Sequence, residues 1–162
     1  DENLSWNLHI NAVSDKIAKG IGILKMCHSF MPTECLVSIY NSFILPYLSC
    51  CLFLWGNANV SLLHRIHILQ KRSIRLINHA ASFEHCVPLA KNVNILLFND
   101  LFYLSVVSHM HNVMCNKSVS GALYCKVCDV HSTSTRSLSL NFYVHNISTN
   151  VRKRFITHNG VI

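Results

Sequence analysis

Charge is scarce in this chain, and negative charge is scarcer still. Only 13% of residues are Asp, Glu, Lys or Arg, against 51% hydrophobic, where about 25% charged is usual for a soluble domain. So little polar surface implies that part of the chain packs against a neighbour, either a further domain or a separate partner. Just 7 acidic residues face 14 basic ones, for a formal charge of +7. The aspartates are Asp1, Asp15, Asp100 and Asp129, with no adjacent pair. That excludes a paired-aspartate two-metal centre, in which the metals stabilise both the attacking and the leaving oxygens. A Gly-rich phosphate loop and a Gly-x-Ser-x-Gly elbow are missing as well. Neighbours such as Cys27-His28 and His85-Cys86 lack a third group to position a base. No catalytic residues, metal or cofactor are expected from this inventory.

Long hydrophobic runs are also absent. The longest, Phe43 to Trp55, is thirteen residues and contains Pro46, Ser49 and two cysteines. A bilayer span needs about 20, so this is a core segment and no membrane is expected. The opening Asp1-Glu2-Asn3 is polar and acidic, unlike a signal peptide, which predicts an intracellular protein, nuclear or cytoplasmic. Eight cysteines, at 27, 35, 50, 51, 86, 115, 125 and 128, fall mostly within apolar helical stretches and read as reduced thiols. The sequons at Asn59, Asn116 and Asn146 then carry no weight. Cys125-x-x-Cys128-x-x-His131, with Cys115 or His111 upstream, holds zinc-type ligands. The second pair is poorly formed, and ordinary thiols are the better reading.

What is present is helical periodicity. Ile10, Val13, Ile17, Ile21 and Leu24 recur at three- and four-residue steps, which predicts one face of a helix over His9 to Cys27. Gly20 and Gly22 weaken it by up to about 1 kcal/mol each unless close packing requires them. Pro32 fits the first turn of a second helix with a buried stripe of Leu36, Ile39, Tyr40 and Phe43. Pro46 ends or kinks that helix, and Trp55-Gly56-Asn57 closes the segment. An irregular stretch around Pro88 follows. A helix over Asn99 to Asn116 comes next, with Asn99 as its cap and Leu101, Leu104, Val107 and Val113 buried. Beyond Lys117, alternation of Leu138, Leu140, Phe142 and Val144 predicts a short strand, and Arg152, Lys153 and Arg154 form a basic cluster. Trp6 and Trp55 read as core aromatics.

The clearest pattern lies between Val60 and Asn78. At 100° per residue, Leu62, Leu63, Ile66, Leu69, Ile74, Leu76 and Ile77 occupy one broad side of a helix. His64, Arg65, His67, Lys71, Arg72 and Arg75 occupy the other, with Ile68 among them. No acidic residue occurs between Glu34 and Glu84, so intrahelical salt bridges cannot neutralise the basic side. A basic excess favours a polyanion such as RNA, DNA or an anionic membrane.

Several segments resemble the reverse transcriptases of LINE-type, jockey-like non-LTR retrotransposons, in the region after the palm. The opening Asp1-x-x-Leu4-Ser5-Trp6-x-x-His9-Ile10 leads to Ile21-Gly22-Ile23-Leu24. Next come Ile39-Tyr40-Asn41-Ser42-Phe43-Ile44-x-Pro46-Tyr47-Leu48-Ser49 and Trp55-Gly56, then Leu69-Gln70-Lys71-Arg72-Ser73-Ile74-Arg75-Leu76-Ile77. His85-x-x-Pro88-Leu89, Asn94-Ile95-Leu96 and Val130-His131-Ser132-x-Ser134-Thr135-Arg136 continue in the family's order. Cys50 stands where the family tends to have Tyr.

The resemblance implies a mainly α chain: a thumb-like helical bundle over residues 1–116, then an irregular α+β tail over 117–162. It implies a fragment of an RNA-directed DNA polymerase without the catalytic palm, not an enzyme by itself. Its auxiliary role is sequence-independent binding of an RNA–DNA or DNA duplex beside the parent's palm and fingers. Arg65, Lys71, Arg72 and Arg75 are the phosphate-contacting residues expected, with His64 and His67 assisting below about pH 6.5. Two alternatives stand beside this: a small helical module whose apolar surplus docks a protein, and a functionless mobile-element relic.

Overall fold

The computed structural model describes residues 6–115 together with Lys126, Val130, Phe142 and Tyr143. Within them the chain is mainly helical, as expected. It divides into two compact units, residues 1–102 and 103–162.

The first unit is built on the pairing of α1 (Asn7–Cys27) with α5 (Val60–Ile77). All five predicted stripe residues of α1 are buried, joined by Ser14 and Gly20. The two helical glycines part company here. A Cβ on Gly20 would stand 2.8 Å from Ile44 Cγ1 and 3.1 Å from the Phe43 carbonyl oxygen, whereas one on Gly22 would meet nothing within 4 Å. Gly20 is therefore the point where α1 touches the end of α2 (Thr33–Phe43).

Pro32 precedes α2 at the cap position, with extended backbone, and does not enter its first turn. Leu36 and Tyr40 are buried and Ile39 is partly buried, but Phe43 is exposed, against expectation. The reason is the break at Ile44. The chain turns there into α3 (Leu45–Ser49), whose first turn holds Pro46, and Ile44 itself fills the core. A left-handed Cys51 starts the single turn α4 (Leu52–Trp55), which buries Leu52 and Trp55. The Trp55 indole donates to the Cys50 carbonyl at 2.9 Å, so this core aromatic is also a clamp.

Helix α5 begins at Asn59, whose side chain accepts from the Ser61 amide at 3.2 Å, satisfying one of the orphan donors of the first turn. It ends in a left-handed residue that is not glycine. His79 has φ 52, its amide donates to Leu76 O, and the Ala80 amide reaches back to Arg75 O at 3.0 Å. These are the paired bonds of a Schellman motif. The stretch around Pro88, expected to be irregular, contains a short helix, α6 (Cys86–Asn92). Pro88 sits in its first turn, where a missing amide costs nothing. Asn94, at φ 53, ends α6 the same way, with Ile95 N donating to Ala90 O at 2.9 Å.

Helix α7 (Phe98–Met114) starts one residue before the expected cap. Phe98 belongs to the core of the first unit. In the second unit Val106, Met110 and Val113 are buried, while Leu104 and Val107 are exposed, so the predicted face is rotated. Apolar residues surround most of this helix, and periodicity cannot choose a side when both qualify. Lys126 and Phe142 form an isolated antiparallel bridge. The remainder of the predicted strand and the Arg152–Arg154 cluster lie outside the described residues.

Candidate nucleic-acid interface

Helix α5 carries the predicted basic side, and its opposite side explains how that side is held outward. Leu63, Ile66, Ile74 and Ile77 are buried in the core. With them, on the same side, lie two polar residues that the apolar count passes over, Gln70 and Ser73, exposed by 1% and 0%. The Gln70 amide is fully used. Its nitrogen donates to Tyr40 Oη at 3.1 Å and to Leu96 O at 2.9 Å, and its oxygen accepts from the Phe98 amide at 2.7 Å. A backbone amide can only donate, so the side chain has one sensible orientation. The first-turn amide of α7 is thus capped by a residue of α5, and Asn99 lies inside the helix. Ser73 Oγ donates to the Gln70 carbonyl at 2.7 Å. The Tyr40 hydroxyl pKa is pushed up to about 12 by burial, which outweighs the opposing hydrogen bond from Gln70.

The six predicted contact residues separate into two groups. His64, Lys71 and Arg72 are exposed, and among the described residues no carboxylate forms an ion pair with any of them. The other three are engaged. Arg65 Nη2 bonds Asp15 Oδ1 of α1 at 3.0 Å, with side chains 54% and 66% exposed. Sequence spacing excludes an acid within α5, but the α1–α5 pairing supplies one from fifty positions away. Arg75 is half-buried, and its Nε donates to the Glu84 carbonyl at 2.9 Å. That contact secures the loop after the helix. Glu84 Oε1 accepts from the Ala81 amide at 3.1 Å in the same loop.

His67 departs furthest from its expected role. It is half-buried with its ring edge-on to Phe98, centroids 4.8 Å apart. Burial first, then the charges of Lys71 and His64, lower its pKa. It resists the charge that assistance below about pH 6.5 would require. His67 is a packing residue of the α5–α7 contact in the first unit.

The free part of the face is therefore smaller than the sequence implies: Lys71 and Arg72, with His64 two turns earlier and Arg65 available on breaking one solvent-exposed ion pair. Such pairs are worth about 0–1 kcal/mol. Ile68 lies exposed among them, which gives the face an apolar patch between cations. Lys16, off the α1 stripe, lies over the Tyr47 ring at 5.1 Å, a cation–π contact.

Of the zinc-type residues, His111 Nε2 and Cys115 Sγ are 3.7 Å apart on α7. Cys125, Cys128 and His131 lie outside the described residues, and among the described ones no three His, Cys, Asp or Glu come together. No described helix is long and apolar enough to cross a membrane. A scan against protein-family models, a search of curated proteins and a search of solved structures found no match.

Proposed function

We propose that this chain is a thumb-and-downstream piece of a non-LTR retrotransposon reverse transcriptase, and that it grips a template–primer duplex through α5 without reading sequence. One observation carries the binding half of this reading. Lys71 and Arg72 stand exposed on a helix whose opposite side is locked into the core, with no carboxylate paired to either among the described residues. Two unneutralised cations projecting from a helix anchored by its other side can meet phosphates without moving the backbone, and phosphate contacts carry affinity without base information. The family half rests on the order of the segments running from Leu4-Ser5-Trp6 to Thr135-Arg136. Chemistry would belong to the parent's palm.

The test is an anisotropy titration of the full chain with a labelled RNA–DNA hybrid at rising salt. Each phosphate contact contributes about −0.9 to the slope of log affinity on log salt. Three contacts give a loss of roughly forty-fold between about 50 and 200 mM salt. Lys71→Glu with Arg72→Glu should abolish binding while the far-ultraviolet circular dichroism stays unchanged. Unaltered binding by that folded variant would exclude α5 as the site.

A protein-docking role is favoured by a different observation. Leu8, Met26, Phe30 and Phe83 are all at least 70% exposed, and apolar side chains of this kind are what a protein partner would cover. Complex formation that persists at high salt and ignores Lys71 and Arg72 would assign the chain to that role.

A further inference from the structure

The link between α3 and α4 carries two adjacent thiols, Cys50 and Cys51, that neither the core nor the duplex grip uses. Both are free and exposed. Their backbone is held from both sides. The Cys50 amide donates to Pro46 O at 3.0 Å, and the Leu54 amide donates to Cys51 O at 2.9 Å. The Cys50 carbonyl accepts the indole hydrogen of the buried Trp55, and Cys51 is left-handed at φ 49. The two thiols stand on consecutive residues of this anchored link, and both are open to solvent. Burial, then the adjacent Cys50, raises the Cys51 pKa, which keeps that thiol protonated at neutral pH.

Geometry separates two kinds of chemistry for such a pair. Adjacent Cα atoms across a trans peptide are about 3.8 Å apart, whereas disulfides close without strain at about 4.4–6.8 Å. A direct sulfur–sulfur bond is disfavoured, and the pair persists as a dithiol. A third atom bonded to both sulfurs at about 2.3 Å lifts that restriction, because the sulfurs then stay apart. Soft thiolates select soft centres.

We propose that Cys50 and Cys51 form a chelating dithiol site for a soft, thiophilic centre of the trivalent arsenic type. With hydrated phenylarsine oxide, two arsenic–sulfur bonds form and two arsenic–oxygen bonds break. The two thiol protons leave with the two hydroxyls as two waters, and arsenic stays trivalent, so no oxidant or reductant is needed.

The test uses the full reduced chain and phenylarsine oxide alone, with peptide mass spectrometry to locate the adduct. One phenylarsenic per chain is expected on the peptide holding Cys50 and Cys51, retained in excess 2-mercaptoethanol and released by dithiothreitol. Cys50→Ser and Cys51→Ser should each lose the retained adduct, with circular dichroism unchanged because both positions are exposed. Cys35→Ser, removing an isolated exposed thiol, and Cys125→Ser with Cys128→Ser should both keep it. An adduct on other peptides only, or one that survives in a folded Cys51→Ser variant, would overturn the site.

Discussion

Replacing Gln70 by Leu removes an amide while roughly conserving side-chain volume. Three groups lose their partner: the Tyr40 hydroxyl, the Leu96 carbonyl and the Phe98 amide. A buried polar group left unsatisfied costs about 1–3 kcal/mol. Tyr40 and Phe98 are fully enclosed, at 0% and 1% exposure, so the first and third bear the full penalty. Leu96 is exposed, and water replaces much of its bond. Setting about 1 kcal/mol of gained apolar burial against a gross loss of about 4 leaves a net destabilisation of about 3 kcal/mol. Against a typical total of about 5–15 kcal/mol, the variant stays folded but melts roughly 6–12 °C lower.

The assay is urea unfolding followed by circular dichroism, extended to a double-mutant cycle with Tyr40→Phe. That second change removes the orphaned hydroxyl, so the double variant should recover about 1 kcal/mol relative to additivity. A titration adds an independent reading. The folded Tyr40 pKa of about 12 lies above its unfolded value of 10. Its contribution, about 3 kcal/mol, is therefore fully present below pH 10 and lost as pH rises through about 12. Gln70→Leu should move the upper end of that window still higher, because the hydrogen bond it deletes is the one lowering the pKa. A Gln70→Leu variant within 1 kcal/mol of the parent, or a cycle with no coupling, would refute the hub.

Gly20→Ala should destabilise by about 1–3 kcal/mol through overpacking against Ile44 and the Phe43 carbonyl, while Gly22→Ala should stabilise by up to about 1 kcal/mol; equal and same-signed shifts in thermal midpoint would contradict the packing. Ser14→Ala should stabilise by about 1 kcal/mol in the same melts, because its buried hydroxyl has no hydrogen-bond partner. Asp15→Asn should release Arg65 and tighten duplex binding a few-fold at low salt, with stability changed by less than about 1 kcal/mol; weaker binding would show that Asp15 positions Arg65 instead. His67, whose folded pKa is lowered, adds stability above the unfolded value near 6.5 that is lost as pH falls through the folded one. His67→Leu should flatten that part of the acid limb, which urea midpoints across the range would measure.

Much of the helical layout was legible from residue order. The α1 stripe from Ile10 to Leu24 and the extent of α5 follow from three-and-four spacing, because a buried helix face imposes that period whatever it packs against. The misreadings are as instructive. Phe43 falls on the α2 period but is exposed, because Ile44 breaks the helix and takes the core position. Leu104 and Val107 satisfy a period that α7 does not use. His79 ends α5 as a left-handed residue where a glycine would have been the signal. Gln70 and Ser73 sat on the apolar side of α5, a visible hint of buried hydrogen bonding, but their partners were not visible.

The chain's own order determined which side of α5 faces inward and that the other side is basic, since both follow from angular position around one helix axis. Only the tertiary structure decided which of those cations remain free. Asp15 reaches Arg65 from another helix, the Glu84 carbonyl engages Arg75, and the His67 ring packs edge-on to Phe98, while burial lowers its pKa. These contacts join residues nine to fifty positions apart, and periodicity within one helix contains no information about what another element brings to its surface.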